Sequence, residues 1–135
     1  MSKTYGTFKT DSEMESKGII IDYGEAGKFQ IARAGGANKA FNRAIQKLSK
    51  PYRRAIQANR MDEEVAEQLL LKAFCKTCLL GWENVTGPDG EPLEYSMENA
   101  QKLLVDLPDL WDDLRTDAQN AELYRQETRE ADSGN

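Results

Sequence analysis

Histidine is absent from all 135 residues. That removes the one side chain whose ordinary pKa lies near neutrality. With it go histidine metal ligation, histidine acid–base catalysis and the Ser–His and Cys–His nucleophile pairs. Cysteine is scarce, with only Cys75 and Cys78. Two thiols cannot make a structural zinc site within one chain, and a chain of this size needs no disulfide scaffold. No run of about 18 apolar residues exists, so no segment is long enough to cross a bilayer as a helix. The opening MSKTYGTFKT has no apolar stretch of the kind a secretory signal needs. These absences point to a non-enzymatic protein of a reducing cytoplasm, with no cofactor, metal or membrane contact.

What remains is 39% apolar, enough for one small core, under a surface rich in the 30% charged residues. The net charge of −5 conceals a division. Residues 1–60 carry +7 and residues 61–135 carry −12. Between Lys28 and Arg60 there are nine basic residues and no acid. Such a polarised molecule can attract nucleic acid, a charged protein or its own kind.

Residues 1–17 read as a flexible arm. Ile19-Ile20-Ile21 and the alternation Phe29, Ile31, Arg33 predict two strands of a hairpin around Gly24–Gly27. Asn38 reads as a helix N-cap ahead of Phe41, Ala44, Ile45 and Leu48, and Pro51 kinks that helix or opens a new one. Asp62 caps a helix over Val65–Leu80 that is apolar around most of its circumference, hence buried on more than one side. Trp82–Val85 looks extended, and Pro88-Asp89-Gly90 makes a turn. Ser96 caps a helix to Leu107, and Pro108 opens the last one. The expected fold is mainly α: a bundle of about four helices with an N-terminal β-hairpin. It forms a single domain over residues 18–124 with a mobile polar tail over 125–135. Phe41, Ile45, Leu48, Val65, Leu69, Phe74, Leu103, Leu107 and Leu114 form the predicted core, with Trp82 or Trp111 against them.

Candidate chemistry is thin. The CxxC at Cys75–Cys78 lies near a helix C-terminus, where the dipole disfavours a thiolate. Packing is its first reading, ahead of a redox or intersubunit disulfide and an intersubunit zinc site. Asp89, Glu91 and Glu94 lack the rest of a calcium loop. Gly35-Gly36-Ala37-Asn38 could hold an anion on backbone N–H groups. Asp106, Asp109, Asp112, Asp113 and Asp117 form an acidic face for solvent or a partner. The partner-binding set is Lys39, Arg43, Lys47, Arg53 and Arg54 on the basic side, Leu71, Leu79, Leu80 and Trp82 as an apolar patch, and Asp109, Asp112 and Asp113 on the acidic side. The basic face of one copy against the acidic face of the next would give a homo-oligomer.

The block Leu80-Gly81-Trp82-Glu83-Asn84-Val85 is followed by the Pro-Asp-Gly turn. Then come Pro92-Leu93-Glu94-Tyr95-Ser96-Met97-Glu98-Asn99-Ala100 and Leu103-Leu104-Val105-Asp106-Leu107-Pro108-Asp109-Leu110. In this order the segments resemble tail assembly chaperones of long-tailed bacteriophages. Ala34-Gly35-Gly36-Ala37-Asn38-Lys39-Ala40-Phe41 is similar to the segment that follows the N-terminal strands of that family. The resemblance covers roughly residues 18–120. It implies a helical, self-associating factor of the host cytoplasm that coats the tape measure protein, keeps its apolar helices soluble and recruits tail tube protein. It further implies the short form of a gene product often extended by frameshifting. Two other classes stay open: a nucleic-acid-binding or host-directed phage regulator, and a virion head–tail connector component.

Overall fold

A computed structural model describes residues 2–125. Apart from Arg125, the predicted tail therefore lies outside the described residues. In chain order the elements are α1 (Lys3–Phe8), α2 (Ser12–Lys17), β1 (Ile19–Asp22), β2 (Lys28–Ile31), α3 (Lys39–Ser49), α4 (Arg53–Gln57), α5 (Glu63–Thr77), β3 (Leu79–Glu83), α6 (Met97–Asp106) and α7 (Pro108–Gln119). Short 3-10 turns occupy Gly24–Ala26, Lys50–Tyr52 and Ala121–Tyr124.

The predicted bundle with a hairpin is overturned. The hairpin is two-thirds of a three-stranded antiparallel sheet ordered β1-β2-β3. The predicted helix over Val65–Leu80 stops at Thr77, and Leu79–Glu83 becomes a strand. The reason is the exposed edge of β2. A two-stranded ribbon leaves a row of unpaired backbone groups and has too little apolar face to stand alone. Strand β3 covers that edge, pairing Phe29 with Trp82 and Ile31 with Leu79. The register slips between Gln30 and Ile31, and the Ala32 N–H donates to the Cys78 carbonyl at 2.8 Å, so the sheet runs directly into the end of α5.

Helix starts follow the chain's own signals. Asp62 accepts from the N–H groups of Glu64 and Val65 at 2.8 and 3.4 Å, and Ser96 accepts from Asn99 at 3.0 Å. These bonds satisfy donors that no intrahelical carbonyl can reach. Pro108 sits in the first turn of α7, where its missing N–H is no loss. Asn38 precedes α3 but makes no side-chain cap.

The core lies between the sheet and α5, α6 and α7. Phe29, Ile31, Phe74, Cys75, Cys78, Leu79, Leu104 and Leu114 are its most buried members. Of the predicted core, Phe74, Leu103 and Leu114 are buried, and Phe41 packs against the cluster from the side. Ile45, Leu48, Val65 and Leu69 are only half-buried, and α3 packs along one side of α5. Leu107 is exposed at the α6–α7 corner. Trp111 is buried with its ring 4.9 Å from that of Phe74, edge to face. Residues 12–17, within the predicted arm, form a helix that buries Met14 and Glu15.

Candidate functional site

Lys39, Arg43 and Lys47 recur every four residues along α3 and so share one face of that helix. Lys50, Arg53, Arg54 and Arg60 continue the cationic surface over α4. All seven are exposed. None of the ion pairs among the described residues uses any of them. Two apolar side chains stand among these charges, Tyr52 at 38% and Ile56 at 47% exposure, and α4 buries no residue. The lobe is thus a basic surface with an apolar ridge, attached to the domain where α3 packs against α5.

The acidic side is partly committed within the fold. Asp109, Asp112 and Asp113 are exposed on α7. Arg115 holds Asp112 at 2.8 Å and Glu67 at 2.6 Å, and its guanidinium lies 4.7 Å above the Trp111 ring. Tyr23 donates to Asp113 at 3.5 Å. Desolvation, with Asp113 and Asp117 beside it, pushes the Tyr23 hydroxyl up to about 12. Asp117 is raised by desolvation first and by Asp113 second. Basic and acidic surfaces therefore both exist; among the described residues the acidic one meets Arg115 and Tyr23, whereas the basic one takes part in no ion pair.

The predicted apolar patch does not survive as a surface. Leu71 and Leu79 are core residues, because α5 and β3 turn them toward the sheet and α6. Leu80 and Trp82 are half-buried. Trp82 belongs instead to a groove of about 380 Å³ lined by Asn84, Val85, Thr86, Pro92, Leu93, Glu94 and Tyr95. The Trp82 indole N–H donates to the Leu93 carbonyl at 2.8 Å, and the Tyr95 ring meets it edge-on at 5.2 Å. Tyr95 in turn donates its hydroxyl to the Leu79 carbonyl at 2.5 Å.

The two thiols sit in the core with no disulfide between them. Burial pushes each up to about 12, the neighbouring thiol adding to the shift of Cys75. Among the described residues no group of three or more Cys, Asp or Glu side chains is arranged to hold a metal ion. The glycine turn after β2 does hold an anion, supplied from within. The Glu15 carboxylate reaches the Ala37 N–H at 3.4 Å and pairs with Arg33.

The tertiary roles of Asn38, read above as a helix N-cap, and of Tyr124 have no local signal. Asn38 donates its amide to the carbonyls of Arg33 (2.9 Å) and Thr77 (3.0 Å), tying the turn after β2 to the end of α5. Tyr124 is fully buried, donates its hydroxyl to the Ile31 carbonyl and accepts the Asp11 N–H at its own carbonyl. A lone tyrosine at the edge of a polar stretch carries no periodic signal of such a role.

With this geometry in place, comparison with known proteins gives one family. Residues 36–135 match the YdaY prophage protein family. The chain belongs to that family, and is thus of phage origin. No curated protein and no solved structure matches it.

Proposed function

We propose that this protein is a non-enzymatic bacteriophage tail assembly chaperone that binds the tape measure protein in the host cytoplasm and helps recruit tail tube subunits. The reading rests on the motif order described above, and the observation that carries it is the α3–α4 lobe. Its cations form no ion pair among the described residues, and Tyr52 and Ile56 stand exposed beside them along the chain. An amphipathic client helix fits such a surface, laying its apolar face on the ridge and its acidic flanks on the cations. In the absence of client, the acidic face of a second copy is the other ligand this lobe suits, which gives the homo-oligomer.

Nucleic acid is the second reading, since the same cations could meet phosphates. Two features favour the protein client. Phosphate contacts do not call for apolar side chains beside the cations, and the acidic remainder of the molecule repels a polyanion.

The test is co-purification from phage-producing cells with the tape measure protein scored as prey. Recovery with the parent chain, and its loss with Arg53→Glu/Arg54→Glu, is expected. Capture of nucleic acid with affinity falling steeply as salt rises, and no tape measure protein, would replace this reading by the second. Presence of the protein in purified virions would replace it by a connector role.

A further inference from the structure

The helix α1 is unusual in this molecule. It buries no residue, yet it carries two aromatic rings in water, Tyr5 at 72% and Phe8 at 70% exposure. A six-residue helix is far shorter than the roughly 12–15 residues that hold a helix in water without tertiary support. Ser2 caps it only weakly, at 3.5 Å. The arm is anchored at its far end, where the Asp11 N–H donates to the Tyr124 carbonyl at 2.7 Å. Its two cations, Lys3 and Lys9, pair with no acid among the described residues.

The groove beside β3 has the opposite character. Trp82, Tyr95, Leu93 and Pro92 give it an apolar, aromatic wall. Glu94 stands in that wall, and Asp89 and Glu91 stand on the turn that closes it. None of these three acids is in an ion pair among the described residues.

We propose that the N-terminal arm of one copy docks in the Trp82–Tyr95 groove of a second copy, with Phe8 and Tyr5 against the aromatic wall and Lys3 and Lys9 against Glu91 and Glu94. The rings would meet the apolar wall of Trp82, Leu93 and Tyr95, and the flanking charges are of opposite sign. Aromatic pairs favour the edge-on contacts that the Trp82 and Tyr95 rings already display. If each copy lends its arm to the other, four rings and the groove walls they cover leave water. At roughly 150–250 Å² per ring the four rings bury about 600–1,000 Å², the size of a weak, concentration-dependent dimer. The contact does not involve the α3–α4 lobe, so it stands or falls apart from the proposed client.

The experiment is sedimentation or light scattering of the full chain across protein concentration. The parent chain is expected to form dimers as its concentration rises. Tyr5→Ala/Phe8→Ala is expected to weaken dimerisation about tenfold or more while leaving the unfolding midpoint unchanged, since both rings are already in water. Glu91→Lys/Glu94→Lys is expected to weaken it by a similar factor. An equimolar mixture of the two variants is the decisive arm, because the arm of the second and the groove of the first are both intact. Mixed dimers should form where neither variant alone does. A monomer at every concentration would overturn the proposal. So would undiminished dimers of the arm variant, or a mixture in which no mixed dimers form.

Discussion

Glu15 and Arg33 form an ion pair that is largely withdrawn from water, with the carboxylate side chain 4% and the guanidinium side chain 23% exposed. The pair joins α2 to the turn after β2. The Arg33 N–H also donates to the Glu15 carbonyl at 2.8 Å, so backbone and side chain hold the same junction. Gly36 is required there. Its φ is +55°, and a Cβ at that position would overlap the Glu15 carboxylate.

Removing one member leaves the other buried without its counter-charge. Glu15→Ala or Arg33→Ala should each lose about 3–5 kcal/mol of unfolding free energy. Replacing both together should lose less than the sum of the single losses. Urea unfolding of the four species measures this, and full additivity would show that the pair is not coupled.

Burial separates two residues that the chain's periodicity treats alike. Phe74 is enclosed by the core and stacked edge-on against Trp111, so Phe74→Ala should cost about 3–5 kcal/mol. Leu69 is half-buried, so Leu69→Ala should cost less than about 2 kcal/mol. Equal losses in denaturant titrations would mean that the outer side of α5 is covered in solution.

The thiols should be unreactive while the chain is folded. With values raised to about 12, the thiolate fraction at pH 8 is on the order of one part in ten thousand. Alkylation followed by mass spectrometry should show Cys75 and Cys78 unmodified in buffer and both modified in denaturant. Rapid labelling in buffer at either position would place that thiol at the surface.

Asp117 gives a pH signature. Its folded carboxyl holds its proton to a higher pH than the unfolded one, because of partial burial and Asp113. Stability associated with this group is therefore gained as pH falls through the carboxylate range, and the ionised form weighs against the fold at neutrality. Asp117→Asn should raise the unfolding midpoint at pH 7, and the advantage should shrink as pH drops toward 3. An advantage independent of pH would assign the effect to something other than charge.

The features legible in the chain are the local ones. Asp62, Ser96, Pro108 and the Pro88–Gly90 turn act through backbone groups within a few residues, and each stands where its neighbours require it. The third strand was legible only at Trp82 and Glu83, where the chain looks extended, and not at its start. Leu79 and Leu80 continue the apolar composition of α5, and the edge that converts them to a strand lies about fifty residues earlier in β2. Separation along the chain also hides the Glu15–Arg33 pair, 18 residues apart, and the Asn38–Thr77 bond, 39 residues apart. On the candidate site, the lysines and arginines of α3 and α4 lie exposed, as charged side chains ordinarily do. Leu71 and Leu79 were a harder case. Their apolar character says that something covers them, and only the tertiary structure says that it is the chain's own core.

The bond between the Asp11 N–H and the Tyr124 carbonyl has a consequence for biosynthesis. A ribosome delivers α2 long before it delivers Tyr124, and β1 and β2 long before β3. A nascent chain therefore carries an incomplete sheet, with Phe29 and Ile31 uncovered, until more than half of the described residues have emerged. The seam at Tyr124 closes later still. Slowing translation after Glu83 should give the sheet time to close, whereas a stall before Leu79 should leave the hairpin exposed to aggregation and proteases.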